Sequence, residues 1–255
     1  MGMLKGQKGV IFGIANERSI AWAIAEEFHK QGAELALNYV NPKLGERVIP
    51  LGESIGAKLI KECNVCDDKQ LEEFFKEVKN VFGEIDFVIH AVAYAEKEDL
   101  AGAFVNTSRK GFITALEVSA FSLVALTHAA LPLLKNPSSV MTLTYNGSQR
   151  VMPNYNVMGV AKAALESSVR YLAYDLGSKG IRVNSVSPGP LRTLSSSAIS
   201  GFKTILSEVE AKSPLKRNIS TQEVATTCAF LASNASSGIT GQNIFVDAGH
   251  QIMGL

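Results

Sequence analysis

Short β-type apolar runs alternate with helical segments along the whole chain, and this alternation limits what the chain can fold into. Lys8 to Phe12 is the first run, and Gly13 ends it. Ile20, Ala21, Ile24, Ala25 and Phe28 then form a helical apolar face, which Gly32 closes. Glu34 to Tyr39 reads as the second strand, Lys43 to Ile55 as a helix, and Lys58 to Val65 as the third strand. Asp67 to Phe82 is amphipathic, with Leu71, Phe74, Phe75 and Val78 on one face. Ile85 to Val92 is apolar almost throughout, as a strand covered on both faces of a parallel sheet must be. A long helical region from Arg109 to Leu134 ends before the Pro137 turn. Strand Ser139 to Tyr145, helix Pro153 to Leu176 and strand Ile181 to Ser187 follow. An irregular stretch leads to helical Gln222 to Ser233 and a last strand, Asn243 to Val246. No linker or repeat interrupts the pattern. It predicts an α/β chain: a single doubly wound Rossmann-type domain over residues 1–255, with a parallel sheet of about seven strands flanked by helices. Hydrophobic residues make up 46% of the 255, enough to bury a full core.

Ligands of such sheets gather at the carboxyl ends of the strands. The loops 13–19, 64–67, 92–99, 145–153 and 188–200 all follow strands and converge there. The first strand, turn, helix and second strand make a βαβ unit, whose helix N-terminus offers backbone N–H groups to a phosphate. Ser19 can cap that helix and also meet a pyrophosphate. The GxGxxG fingerprint is absent, however, since Gly13 is the only glycine of the turn. No acidic residue ends the second strand, where Tyr39, Val40 and Asn41 stand instead.

The densest chemistry lies between Thr142 and Arg170, which holds Tyr145, Tyr155 and Lys162. Tyr155 and Lys162 are seven residues apart. In a helix that spacing falls ~20° short of two turns, so both side chains leave one face roughly 10 Å apart along the axis. A phenol and an ammonium so placed can act together on a bound cofactor and substrate.

Composition narrows the partners. A net charge of +1 gives no reason to expect nucleic acid or a membrane surface. No apolar run is read as reaching the ~18 residues that span a bilayer. The N-terminal residues carry neither an apolar signal core nor an arginine-rich presequence, which points to a soluble, cytoplasmic protein. Three cysteines make no disulfide framework. Cys63 and Cys66 have CxxC spacing but no second ligand pair, and His29, His90, His128 and His250 show no ligand spacing. These read as structural residues, and no metal is implied.

Together, Gly13 with Asn16 to Trp22, His90 to Ala95, Pro153 to Glu166 and Gly189 to Leu194 resemble the short-chain dehydrogenase/reductase superfamily. More closely, they resemble the NAD(P)H-dependent enoyl-acyl-carrier-protein reductases of type II fatty acid synthesis. The resemblance covers essentially the whole chain. Ketoreductases of the superfamily space their tyrosine and lysine four apart, and four before Lys162 stands Met158, which cannot do that chemistry. The wider spacing, with Tyr145 upstream, marks the enoyl reductase group. The positions that depart from its common pattern are Asn64 for an aspartate, Ala91 and Thr144 for serines, and Pro188 in the nicotinamide loop.

The resemblance implies reduction of the 2,3 double bond of trans-2-enoyl thioesters, the last reductive step of fatty acid elongation. It implies that Tyr155 hydrogen-bonds the thioester carbonyl, Lys162 holds the nicotinamide ribose, and Tyr145 lines the substrate pocket. Cofactor contacts fall on Gly13, Ser19, Ile20, Val40, Asn64, Val65 and Val92, and on Leu191, Arg192, Thr193, Leu194 and Ser195. Ala95 touches substrate, and a mobile substrate-binding segment spans about 194–212. The cofactor is expected to be NADH, with NADPH the alternative, because Val40 brings no cation and only Lys43 and Arg47 lie near in the chain. An acyl carrier protein is the expected partner, docking at Lys203, Lys212, Lys216 and Arg217, and the assembly is expected to be a homotetramer. A 3-oxoacyl ketoreductase and a non-catalytic cofactor sensor on the same fold stand as alternatives.

Overall fold

The computed structural model describes residues 2–193 and 201–254, apart from the side chain of Lys203. Leu194, Ser195 and the first part of the expected substrate-binding segment lie outside the described residues. Among the described residues the strands are Lys8–Phe12 (β1), Glu34–Tyr39 (β2), Leu59–Glu62 (β3), Ile85–His90 (β4), Leu134–Leu143 (β5), Ile181–Pro188 (β6) and Asn243–Val246 (β7). They form one parallel sheet of order β3-β2-β1-β4-β5-β6-β7, the doubly wound arrangement expected. The helices are Ile20–Lys30 (α1), Pro42–Ser54 (α2), Asp68–Phe82 (α3), Arg109–Leu116 (α4), Ser122–Ala130 (α5), Asn156–Gly177 (α6), Phe202–Lys212 (α7) and Thr221–Ala232 (α8).

The central strands are apolar because both of their faces are covered. Val10, Phe12, Val88 and Val140 point to one side and pack with Phe74, Leu123, Leu126 and Leu165 of α3, α5 and α6. Ile11, Leu37, Phe87 and Ile89 point to the other side, against Ile24, Phe28, Val224 and Cys228 of α1 and α8. Each such fully buried side chain contributes about 1.5–3 kcal/mol relative to leaving it in water.

Several boundaries differ from the sequence expectation, each for a local reason. The region expected to be helical as far as Leu134 leaves the α-helix at Ala130, because Pro132, second residue of the 3-10 turn Leu131–Leu133, has no N–H to continue the ladder. A π-helical stretch, Glu117–Phe121, also separates α4 from α5. Helix α6 starts at Asn156 rather than Pro153, since Asn154 and Asn156 adopt positive φ of 61° and 30°. Tyr155 is therefore the capping residue of α6, not a member of its first turn.

The helical run Arg109–Leu133 corrects a further expectation. It is 25 residues long and contains an 18-residue window of mean hydropathy 1.5, long and apolar enough by length and composition to cross a membrane. Its composition reflects its position in the fold: Ala120, Leu123, Leu126, Ala130 and Leu133 face the core under α3 and α6.

Candidate active site

The carboxyl edge of the sheet is built first at β1. Gly13 follows the strand with φ of 104°, and a Cβ there would lie 2.2 Å from the carbonyl oxygen of Ala91. Only glycine lets the chain turn this close to the end of β4. Asn38, buried near the end of β2, accepts a hydrogen bond from the Gly13 N–H (3.0 Å) and donates to the Cys63 carbonyl (2.9 Å). One amide thus locks three strand ends in register. Ser19 caps α1 by accepting from the Trp22 N–H, and no acidic residue occupies the first turn. The partial positive charge of that helix end is left for an anion.

Beyond β5 the chain enters the tyrosine loop. Tyr145 is extended, and the 3-10 turn Asn146–Ser148 follows. The loop packs tightly on the start of α6. A Cβ at Gly147 would lie 2.6 Å from the Tyr155 ring, and one at Gly159 would lie 2.7 Å from the Gly147 carbonyl oxygen. The rings of Tyr145 and Tyr155 meet edge to face, with centroids 5.0 Å apart and planes at 70°. Burial raises the Tyr145 phenol above its usual pKa. Burial, and secondarily Tyr145, does the same for Tyr155. Both hydroxyls are therefore protonated donors at neutral pH.

Lys162 is only 5% exposed, and its Nζ donates to the Leu143 carbonyl at 2.8 Å. Burial lowers its ammonium to about 8, against the opposing pull of Glu166. His90 sits behind it with Nδ1 2.8 Å from Thr142 Oγ1 and Nε2 2.8 Å from Ser122 Oγ. Burial, then the Lys162 charge, pushes this imidazole down to about 3, so it stays neutral.

A cavity of about 1050 Å³ opens over the two tyrosines. Its wall includes Ile20, Ala95, Tyr145, Tyr155, Leu191 and Thr193, six of the residues singled out in the sequence. Tyr94, Leu100, Met152, Met158, Phe202, Ile205 and Val209 make much of the rest apolar. Gly13, Ser19, Val40, Asn64, Val65, Val92, Arg192 and Lys162 are not part of that wall. Most of these stand at the carboxyl edge instead: Val40 is exposed just past β2, Val65 is buried in the core past β3, and Val92 packs against the core past β4. Asn64 Oδ1 accepts from the Cys66 N–H, closing the turn before α3. Cys66 is exposed and Cys63 is buried, and both are free thiols.

The chain matches the enoyl-(acyl carrier protein) reductase family model over residues 13–251. It belongs to that family. It is 49% identical over 255 residues to an NADH-dependent enoyl-[acyl-carrier-protein] reductase of Nostoc sp., covering 99% of each chain. Its fold matches the Bacillus cereus enoyl-acyl carrier protein reductase, crystallised with NADP+ and an indole naphthyridinone, with a TM-score of 0.98 and 46% identity over the full length of both chains. The Anaplasma phagocytophilum reductase, solved with NAD, gives a TM-score of 0.96 at 45% identity, covering 100% of this chain and 97% of that one.

Within this enoyl reductase, three site-forming residues were not singled out from the sequence. Asn38 was hidden inside a strand, although an amide in the otherwise apolar ELALNY run is a signal of a buried hydrogen-bonding task. Glu166 read as one of many helix-face carboxylates, yet it is buried and accepts from Thr144 Oγ1 (2.7 Å) and Ser148 Oγ (2.6 Å). Asn243 also donates to it at 3.3 Å from β7, a contact no local pattern could reveal.

Proposed function

We propose that this chain reduces the 2,3 double bond of trans-2-enoyl thioesters carried by acyl carrier protein, with NADH as cofactor, in the last reductive step of fatty acid elongation. The observation that carries the reading is the half-buried, edge-to-face Tyr145–Tyr155 pair under an apolar cavity, with Lys162 held beneath it. The residues at the carboxyl edge fit a dinucleotide. The glycine turn and the uncompensated α1 N-terminus suit a pyrophosphate, and a buried ammonium held by a carbonyl suits ribose hydroxyls.

When bound, the nicotinamide supplies hydride to the β carbon of the substrate. Negative charge then develops on the thioester oxygen as an enolate, and the α carbon takes up a proton. Tyr155 donates its O–H to that oxygen, and a donor aimed at developing charge is worth about 3–4 kcal/mol of barrier. Tyr145 packs the Tyr155 ring in place and lines the pocket. Lys162 would hold the ribose and so orient the nicotinamide, which is a positioning effect. Gly13, Ser19 and Ile20 would contact the pyrophosphate side, Val40, Asn64, Val65 and Val92 the adenosine side, and Leu191, Arg192 and Thr193 the nicotinamide. Ala95 touches the substrate. Helix α7 places Phe202, Ile205 and Val209 on the cavity wall, which supports the 194–212 stretch as a substrate-binding segment. Val40 carries no cation for a 2′-phosphate, which supports NADH over NADPH.

We further place the enzyme in the cytoplasm as a homotetramer. Phe121, Tyr171 and Tyr174, on neighbouring helical segments, are 59%, 72% and 86% exposed, which suits burial against another copy. The expected carrier-protein patch is weaker than its sequence suggests. Arg217 is committed to Glu223 by two hydrogen bonds of 2.7 and 3.0 Å, and Lys216 donates to the Ala211 carbonyl.

The deciding assay follows NADH oxidation with crotonyl and long-chain enoyl thioesters, with acetoacetyl thioester as the competing substrate. Turnover of acetoacetyl thioester alone would overturn the reading.

A further inference from the structure

Glu166 has no part in the mechanism above, yet it is buried at 7% exposure one helical turn beyond Lys162 on the same face of α6. Its Oε1 accepts hydrogen bonds from the end of β5 (Thr144), the tyrosine loop (Ser148) and β7 (Asn243). All three donors are neutral. Burying a carboxylate costs free energy unless its charge is answered. Among the described residues two cations of α6 stand one turn from it, Lys162 and Arg170; Arg170 is exposed to solvent, and Lys162 is the one buried with it.

Among the described residues, His90, Tyr145, Tyr155 and the Leu143 carbonyl near Lys162 carry no charge. His90, from β4, is held neutral by burial at any pH above about 3. Tyr145 and Tyr155 keep their protons, since burial raises both phenols. Leu143 offers only its carbonyl. Glu166 is also the group whose charge raises the Lys162 pKa against desolvation. Two of its donors, Thr144 and Ser148, meanwhile flank Tyr145 in the chain.

We propose that Glu166 is a positioning residue with two tasks: it keeps the Lys162 ammonium charged for cofactor binding, and it ties the Thr144–Ser148 segment that carries Tyr145 to helix α6. The proposal rests on the reading of Lys162 as the ribose-holding group of an NADH-dependent enoyl reductase.

Glu166→Gln is the discriminating variant, because the amide keeps an oxygen for the same three donors and removes the charge, putting an NH2 where Oε2 stood. NADH dissociation constants of the full-length protein are measured across the neutral-to-alkaline range, for wild type, Glu166→Gln, Glu166→Asp and Lys162→Ala. Lys162 binds cofactor in its charged form, so affinity is full at low pH and falls as pH rises through its pKa. Removing the neighbouring negative charge lowers that pKa. The midpoint of Glu166→Gln is therefore expected about one pH unit below that of wild type. A profile that superimposes on wild type, or one weakened by the same factor at every pH, overturns the proposal, since a purely structural role would not move the midpoint. Should Glu166→Gln not fold, Glu166→Asp carries the test. It keeps the charge and shortens the reach, so kcat should fall while the midpoint stays, and a displaced midpoint with unchanged kcat counts against both tasks. Lys162→Ala separates the two levels. If it binds NADH as wild type does, the reading of Lys162 itself fails. If it binds weakly while Glu166→Gln keeps the wild-type midpoint, only the proposal fails.

Discussion

Tyr155 and Lys162 do different kinds of work, and substitutions should separate them. Tyr155→Phe removes one donor and leaves the ring packed on Tyr145, so kcat should fall roughly 10²–10³-fold with NADH affinity preserved. Lys162→Ala should act mainly on the cofactor, raising the NADH KM. The pH dependence has a definite sign. Lys162 titrates near 8 in the free protein, below the usual 10.5, so cofactor affinity should decline as pH rises through about 8. Between about 8 and 10.5 the unfolded chain holds a proton on this lysine that the folded chain does not. The contribution of Lys162 to the stability of the cofactor-free protein therefore rises with pH across that window, which melting temperatures can follow. Tyr145, Tyr155 and Lys162 were legible because their spacing is itself chemical information. Glu166 and Asn38 were not, because their tasks come from donors far along the chain: Asn243 on β7 for one, Gly13 and Cys63 on other strand ends for the other.

At the scale of elements, the strands were legible because burial on both faces writes a continuous apolar run. Element ends were less so. Pro132 and the left-handed Asn154 and Asn156 fix where helices stop and start, and apolar periodicity carries no trace of them. The shifted start of α6 matters most, since it makes Tyr155 a capping residue pressed against Gly147. Gly147→Ala should therefore displace the Tyr155 ring and lower kcat with the helical content kept, as circular dichroism would show. Helix α8 offers the contrasting case. Ser220 and Glu223 form a capping box well away from the tyrosines in sequence, with Arg217 bound to the same glutamate. Ser220→Ala should cost about 1 kcal/mol of stability, read by denaturant titration, and leave the NADH KM unchanged.

At the scale of the whole molecule, the exposed aromatic residues on α6 and before α5 set the prediction. In the proposed tetramer Tyr174→Glu would bury a charge at a subunit contact, so sedimentation should show dimers or monomers where the parent protein is tetrameric. Sheet order was legible only as a class, because strand alternation implies winding in both directions from a central strand. That order has a consequence for how the chain matures. Strand β1 lies mid-sheet, β2 and β3 extend from one side of it and β4 to β7 from the other. The cavity wall draws on residues from Ile20 to Gly254. A nascent chain that has made only its first five strands holds the glycine turn but lacks α6 with its lysine, as well as β6 and β7. Cofactor can therefore reward folding only once α6 and the strands after it are in place. At about a hundred times its dissociation constant a ligand adds roughly 2.7 kcal/mol to the state that binds it. For this enzyme that increment goes to chains that have assembled the whole site and passes over those that stop short of it.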